Sequence, residues 1–224
     1  MQKPRTWFLH YSALLACATW ALYCPPPADA EPHRFATVPA LAVSLNGSQK
    51  VGGIHYIAIQ LDRDPEHRGP TIQFNELSAG SAVGGAWKEG IRTAFAAAAN
   101  ALREDQRDWI LTIKNHTYNT FTEGSSASGA VAVGIMAAWR GDRLRPDVVL
   151  TGEITADGRI RKVGSLPGKL EGAANAKMQM LLVPKGEART PNWNLYALGR
   201  QRNLTVIEVG SLQEAYHLMT AQSQ

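Results

Sequence analysis

The sequence predicts a single α+β (α/β) domain in which helices pack on a mixed β-sheet. Two observations lead to this prediction. Short β-branched or apolar segments alternate with longer segments of helical periodicity along the chain after residue 30. Glycine, proline and charged clusters separate these segments, and no repeat, coiled-coil heptad or low-complexity stretch interrupts the alternation. The chain from Glu31 to Gln224 is long enough for one medium-sized domain with a substantial core.

The strands are predicted from β-branched runs and from the turn residues that bound them. Asn46-Gly47 indicates a tight turn, and Asp157-Gly158 indicates a hairpin. We assign the segment from Glu31 to Pro39 to an irregular lead-in. The predicted strands cover residues 41–44, 54–61, 71–77, 109–113, 147–151, 152–155, 159–163, 180–183 and 204–209.

The helices are predicted from apolar residues spaced three or four apart. Trp87, Ile91 and Phe95 follow this spacing in the first helix. Ser165 and Ser211 precede the last two helices, where a serine hydroxyl is a suitable N-cap. The predicted helices cover residues 81–102, 126–139, 166–176 and 211–219.

The first 30 residues have the layout of a secretory signal peptide. Lys3 and Arg5 precede a mostly apolar run over residues 7–23, and Ala28-Asp29-Ala30 provides a small-x-small cleavage site. We therefore expect cleavage after Ala30 and export to the periplasm or the cell exterior, so that residues 31–224 form the folded domain. The alternative is a membrane anchor formed by residues 7–23.

Composition excludes several kinds of site. Cys17 and Cys24 both lie in the leader, so residues 31–224 contain no thiol nucleophile, disulfide or cysteine metal ligand. The formal net charge of +4 is small and no basic stripe carries interleaved aromatic residues, so nucleic acid is not an expected partner. No pair of histidines has metal-ligand spacing with a carboxylate. We predict no metal and no cofactor.

A glycine- and serine-rich stretch from Glu123 to Ala130 opens the second long helix. Hydroxyls at a helix N-terminus can cap the helix, bind an anion or supply a nucleophile. By itself, Ser126 fits a cap, Thr151 fits a β-branched strand residue, and Lys169 fits a solvated amine. If Lys169 were buried, loss of hydration would lower its pKa and allow the neutral amine to act as a base.

Three stretches together resemble the signature motifs of the Lon-type serine protease domain. They are Glu123-Gly-Ser-Ser-Ala-Ser, Thr151-Gly-Glu-Ile-Thr and Gly164-Ser-Leu-Pro-Gly-Lys169-Leu. That family has Gly-x-Ser-Ala around the nucleophile, Thr-Gly-Glu/Ser in a central strand and Gly-Gly-x-x-x-Lys around the base. Separations of 25 residues from Ser126 to Thr151 and 43 residues from Ser126 to Lys169 are similar to those of the family. The resemblance is strong from about residue 109 to residue 184.

The resemblance implies a Lon-protease-domain-like fold and hydrolysis of peptide bonds in unfolded or flexible polypeptides. It implies Ser126 as nucleophile and Lys169 as general base, with Thr151 hydrogen bonded to the lysine amine. Gly124 and Ser125 would support the nucleophile, and backbone N–H groups around it are candidates for the oxyanion hole.

Glu123 lies at an acidic position that is common in the family. It can pair with Lys169 in a resting state, which would raise the pKa of that lysine. The alternative is an ordinary solvated loop charge. Two positions depart from the family pattern, because Ser165 replaces a common glycine and Ser125 replaces a frequent proline or aspartate.

The sequence contains no Gly-x-x-x-x-Gly-Lys-Ser/Thr phosphate loop, so we expect activity without ATP. Lon-type domains commonly form six-membered rings, so the resemblance implies a homo-oligomer. A separate unfoldase or adaptor is a further candidate partner.

Two other functions stay open from the sequence. One is a catalytically silent Lon-like binding module. The other is a phosphate-binding, kinase-like domain, because Gly124-Ser125-Ser126-Ala127 resembles the Gly-x-Gly-Ser-Ser-Ala loop of small-molecule kinases. The preceding glycine-rich run is missing, however, and Glu123 would repel a phosphate.

Overall fold

The fold is built on a mixed seven-stranded β-sheet that carries helices on both faces. The computed structural model describes residues 34–46, 49–76, 82–117 and 121–220, and residues 33–224 form one compact unit. The strands are β1 (Arg34–Asn46), β2 (Gln49–Arg63), β3 (Thr71–Phe74), β4 (Ala82–Val83), β5 (Trp109–His116), β6 (Phe121–Thr122), β7 (Val148–Leu150), β8 (Glu153–Ile154), β9 (Ile160–Arg161), β10 (Met180–Pro184), β11 (Arg189–Thr190), β12 (Trp193–Asn194) and β13 (Thr205–Val209). The helices are α1 (Gly85–Leu102), α2 (Ser128–Arg140), α3 (Leu166–Asn175), α4 (Leu195–Gln201) and α5 (Leu212–Met219), with a 3₁₀ turn at Gln106–Asp108.

The strand order in the main sheet is β13-β10-β7-β1-β2-β5-β3. β1 and β2 form an antiparallel hairpin at the centre, and β5 extends it antiparallel to β2. On the other side, β7, β10 and β13 run parallel to one another. β7 joins the hairpin through the pairing of Ala40 with Leu150, so the end of β7 lies at the middle of the sheet.

Two cores lie on the two faces of this sheet. Successive strand residues point to opposite faces, and so Val148 and Leu150 belong to one core while Val149 belongs to the other. Helices α1, α2 and α5 complete the first core, and α3 and α4 complete the second. Since both faces are covered, the sequence of β7 is a continuous apolar run.

Helix α2 lies inside the first core. Every residue from Ser128 to Ala138 is buried, and small residues let the helix approach its neighbours closely. A Cβ at Gly134 would lie 2.5 Å from Ile59 Cδ1 on the sheet. Because the sides of α2 are covered, only its ends are available for chemistry.

The predicted α+β class is confirmed, but the first strand is longer than predicted. Residues assigned to an irregular lead-in belong to β1, which begins at Arg34 and pairs with β2 from the start. The interrupted apolar pattern around Pro39 hides this strand, which pairs with β2 along its length and with β7 at Ala40. The described part of the first helix also differs from the prediction, because residues 82–83 form β4 and the helix begins at Gly85.

Local signals gave mixed results. The Ser211 hydroxyl accepts a hydrogen bond from the Glu214 N–H at 3.2 Å, which confirms this N-cap. Ser165 is wrong as a cap: its φ of 60° is left-handed, and its side chain makes no capping bond. The hairpin predicted at Asp157-Gly158 joins β8 and β9. Helix α4 was missed, although Asn194 caps it by accepting from the Ala197 N–H.

The predicted signal peptide over residues 1–30 and Gly47 of the predicted Asn46-Gly47 turn lie outside the described residues. Among the helices that the structure describes, none has the length and apolar character needed to cross a membrane.

Candidate active site

The N-terminus of α2 is joined to the chain that follows β7. The Gly152 N–H donates to the Ser126 carbonyl oxygen at 2.9 Å, and the Gly129 N–H donates to the Gly152 carbonyl oxygen at 3.0 Å. The Ser128 hydroxyl accepts from the Ile154 N–H at 2.9 Å. A Cβ at Gly129 would lie 2.9 Å from the Gly152 oxygen, so a glycine is required for this close approach. These bonds hold the Ser126 backbone beside Thr151.

Lys169 reaches the same point from the opposite face of the sheet. It lies in the first turn of α3, and only 4% of its surface is exposed. Its Nζ donates to Thr151 Oγ1 at 2.9 Å, and Thr151 Oγ1 donates in turn to the Ser126 carbonyl oxygen at 3.5 Å. A threonine hydroxyl can accept and donate at once, so Thr151 links the lysine amine to the serine backbone.

Burial lowers the pKa of the Lys169 amine from 10.5 to about 8. Removing the ammonium from water penalises its charged form, and the neutral amine becomes a substantial population in mildly alkaline solution. A neutral amine has the lone pair that a general base needs.

Two glycines let α3 lie directly on the central hairpin. A Cβ at Gly52 in β2 would lie 1.9 Å from the Gly168 carbonyl oxygen. A Cβ at Gly172 would lie 2.5 Å from the Gly52 carbonyl carbon. Backbone therefore contacts backbone on both sides of Lys169, and the hairpin determines where the lysine lies.

Ser126 and Lys169 line one cavity of about 390 Å³. Leu41, Trp87 and Phe121 contribute apolar surface to the same cavity. The two polar side chains are not hydrogen bonded to each other, and the Ser126 hydroxyl makes no hydrogen bond with any residue that the structure describes. The site thus places a free hydroxyl and a buried amine on the wall of a shared cavity.

Backbone donors are also available at the start of α2. Within the described ranges, the N–H groups of Ser126 and Ala127 have no protein acceptor, whereas the next two N–H groups along the chain are bonded to Ser125 and Gly152. The positive end of the helix dipole lies at the same place. An anionic oxygen there would find two unused donors.

Gly124 and Ser125 act through their backbones. Gly124 has a φ of 94°, a conformation that favours glycine, in the turn just before the serines. The Ser125 carbonyl oxygen accepts from the Ser128 N–H at 2.9 Å. A Cβ at Gly90 of α1 would lie 3.1 Å from Ser125 Cα, so this loop rests on α1.

Glu123 has a different contact from the expected one. Its Oε1 accepts a hydrogen bond from the Ala86 N–H at 2.8 Å, in the first turn of α1. In the described chain Glu123 forms no ion pair with Lys169, and burial is the cause of the lysine's lowered pKa. Pairing with Lys169, which would raise that pKa and was one of the two alternatives for Glu123, is therefore not the arrangement found among the described residues.

His55 is a site residue that the sequence did not reveal. It is buried in the cavity wall, and its burial lowers its pKa. Its Nε2 lies 3.2 Å from Thr117 Oγ1. His55 is remote in sequence from all three motifs, and the pairing of β2 with β1 places it opposite Ala40, which lines the same cavity.

The described residues contain no group of three His, Cys, Asp or Glu side chains that could hold a metal ion.

The fold and this site together define the class of Lon-like proteolytic domains. Residues 77–217 match the family described as the Lon protease (S16) C-terminal proteolytic domain. The match covers more than half of the chain, so the chain belongs to this family of Lon-type serine peptidase domains. Membership in this family does not support the kinase-like alternative.

Individual relatives agree with this assignment. Lon protease 2 of Herpetosiphon aurantiacus is 34% identical over 96 residues, which cover 41% of this chain and 11% of that protein. The archaeal Lon protease of Pyrococcus abyssi is 26% identical over 102 residues, 46% of this chain and 10% of that protein. The Lon protease of Azorhizobium caulinodans is 37% identical over 67 residues, 30% of this chain and 8% of that protein. The chain therefore spans about a tenth of the length of these relatives.

Proposed function

We propose that this protein is an ATP-independent serine endopeptidase that cleaves unfolded or flexible polypeptides through Ser126 and Lys169. The observation on which the proposal depends is the buried Lys169 amine, which donates to Thr151 on the wall of the cavity that Ser126 also lines. A buried amine with a lowered pKa is the base that a Ser–Lys dyad requires.

In this mechanism Ser126 Oγ attacks the carbonyl carbon of the scissile peptide bond while neutral Lys169 accepts the hydroxyl proton. A tetrahedral intermediate forms, and the lysine ammonium returns the proton to the leaving amine as the acyl-enzyme is produced. Water then attacks the ester carbon while Lys169 takes a proton from it, and the ammonium returns this proton to Ser126 Oγ as the ester bond breaks and the carboxylic acid product leaves. The first step requires Ser126 Oγ to turn toward the amine, as is common where catalytic hydrogen bonds tighten on substrate binding.

Thr151 and the start of α2 support this chemistry in two ways. The Thr151 hydroxyl accepts from Lys169 and thereby orients the amine. The free N–H groups of Ser126 and Ala127 are the donors we assign to the oxyanion hole, where each is typically worth about 3 kcal/mol in the transition state.

The location and partners belong to the same proposal. The predicted signal peptide over residues 1–30 supports export to the periplasm or beyond, and a compartment without ATP suits a sequence without a phosphate loop. We propose a polypeptide as substrate, a homo-oligomeric ring as the assembly, and a separate unfoldase or adaptor as a further partner.

One observation favours a second function. The hydroxyl of Ser126 and the amine of Lys169 are not hydrogen bonded, which is the arrangement that a catalytically silent binding module would also have. The two functions differ in turnover, because the peptidase cleaves a polypeptide and the binding module does not.

The test is degradation of denatured casein by the purified protein and by Ser126→Ala. We expect the wild type to produce peptides and Ser126→Ala to produce essentially none, because nucleophile loss removes nearly all turnover. Ser125→Ala is the matched control, since Ser125 contributes its carbonyl and Cα rather than a bonded hydroxyl. Absence of wild-type cleavage would favour the binding module, and equal cleavage by Ser126→Ala would exclude this nucleophile.

The second expected result is a pH profile. Cleavage should increase with pH and reach half of its maximum near the pKa of Lys169, about 8, because only the neutral amine accepts the serine proton. Initial rates across neutral to alkaline buffers of constant ionic strength measure this midpoint. A profile that is flat or that falls over this range would contradict a lysine base.

A further inference from the structure

The loop that carries the nucleophile is attached to the beginning of α1. Parallel pairing joins Ala82 and Val83 of β4 to Phe121 and Thr122 of β6, and the Gly84 N–H donates to the Thr122 carbonyl oxygen at 2.9 Å. One residue later the Glu123 carboxylate accepts from the Ala86 N–H. The chain thus follows the helix end until three residues before Ser126.

Helix α1 has no cap of its own. Its N-cap residue is Gly84, which has no side chain, and its first turn contains no acidic residue. The first N–H groups of a helix need acceptors, and negative charge is favourable beside them. Lys88, which follows in the helix, is paired with Glu76 at 3.0 Å and does not engage Glu123. Glu123 therefore provides from another segment the acceptor that α1 lacks.

Glycines make room for this attachment. A Cβ at Gly84 would lie 1.3 Å from Glu123 Oε2 and 2.8 Å from Phe121 Cζ. Further along the same helix, Gly90 lies against Ser125 Cα. The carboxylate and the loop after it are therefore seated directly on α1, on both sides of the positive-φ turn at Gly124.

We propose that Glu123 is a positioning residue that anchors the nucleophile loop to the N-terminal turn of α1 and so holds Ser126 in the cavity. It acts as a hydrogen-bond acceptor for the Ala86 N–H, and not as a charge on Lys169. This inference rests on the proposed peptidase function, because its consequence for rate requires Ser126 to be the nucleophile.

Four variants test the anchor: Glu123→Gln, Glu123→Ala, Gly84→Ala and the double variant of Gly84→Ala with Glu123→Ala. Glu123→Gln keeps an acceptor oxygen, whereas Glu123→Ala removes it. Gly84 has an extended backbone (φ −82°, ψ 177°), so alanine adds only a methyl group that displaces the carboxylate. Each is measured by kcat and KM on denatured casein, by the rate of labelling of Ser126 with a fluorophosphonate, and by hydrogen exchange of the Ala86 amide.

Glu123→Ala should lower kcat and the labelling rate about fivefold and speed Ala86 exchange by a similar factor, as expected for a lost helix cap. Glu123→Gln should stay within about twofold of the wild type in all three, with the same pH midpoint, because the acceptor is kept. Gly84→Ala should resemble Glu123→Ala, and the double variant should show no further loss, because both changes remove one contact.

Several outcomes would overturn the anchor. Unchanged Ala86 exchange in Glu123→Ala would show that the contact does not protect the helix end. Faster exchange with unchanged labelling and kcat would show that the contact does not position Ser126. If Glu123→Gln lost as much activity as Glu123→Ala and the pH midpoint also shifted, Glu123 would act through its negative charge on the pKa of Lys169. If the wild type neither cleaves casein nor reacts with the fluorophosphonate, the proposed function fails, while exchange of the Ala86 amide in Glu123→Ala still decides whether Glu123 holds the end of α1.

Discussion

Replacing Lys169 with methionine should lower the rate of casein cleavage by at least about 10³-fold, because the variant has no group that can accept the Ser126 proton. Methionine has a similar length and is apolar, so it suits a position that is 4% exposed. Lys169→Arg should be comparably inactive, since a guanidinium keeps the cation but cannot be deprotonated in proteins. Initial rates at saturating casein measure both variants.

The matched control is Lys185→Met, which makes the same substitution at an exposed lysine outside the cavity that holds Ser126. Its rate should equal that of the wild type. Cleavage by Lys169→Met at more than a small fraction of the wild-type rate would assign the base to another residue. Activity retained in Lys169→Arg alone would show that a positive charge, and not proton transfer, is what the site uses.

Replacing Lys169 with methionine should also change the free energy of unfolding, by an amount that depends on pH. In the folded chain the pKa of Lys169 is lowered from 10.5 to about 8. In neutral solution the amine is protonated in both states, and its burial destabilises the fold by about 3 kcal/mol, the equivalent of this shift. As the pH rises through about 8, the folded state loses the proton while the unfolded state keeps it. The unfolded state then binds more protons, so stability rises with pH.

Urea unfolding of wild type and Lys169→Met across neutral to strongly alkaline pH measures this effect. The free energy of unfolding of Lys169→Met should exceed that of the wild type by the largest amount near neutral pH. This difference should shrink by about 3 kcal/mol as the pH approaches the pKa of a free lysine amine, about 10.4. Other titrating groups cancel in this difference, and Lys185→Met should show no such trend. A difference between wild type and Lys169→Met that is constant with pH would mean that Lys169 keeps an ordinary pKa in the folded chain.

Both expectations depend on how the sheet divides the molecule. Ser126 lies just before a helix on one face and Lys169 lies in a helix on the other, and Thr151, directly after β7, connects the two segments by hydrogen bonds. The lysine is desolvated because α3 lies directly on the hairpin through Gly52 and Gly172. The structural feature that positions the proposed base is therefore also the one that lowers its pKa.

Much of the fold could be predicted because the signals were local. Helical spacing in the first long helix, the cap at Ser211 and the hairpin at Asp157-Gly158 each depend on neighbours in sequence. The extent of β1 could not be predicted, because its hydrogen bonds depend on the partner strand β2. The prediction that Ser165 caps α3 failed for a related reason. The entry into α3 places Ser165 in the left-handed region, where its hydroxyl makes no hydrogen bond to the helix N–H groups.

The sequence by itself predicted the class of the domain and pointed to Ser126, Thr151 and Lys169 as the candidate site, because motif identity and spacing are properties of the chain alone. Only the tertiary structure decided their environment. The burial that lowers the pKa of Lys169, the place of His55 in the cavity wall and the attachment of Glu123 to α1 all arise between segments distant in sequence. Desolvation and cross-segment hydrogen bonds depend on the packed neighbours, and those neighbours are set by the fold.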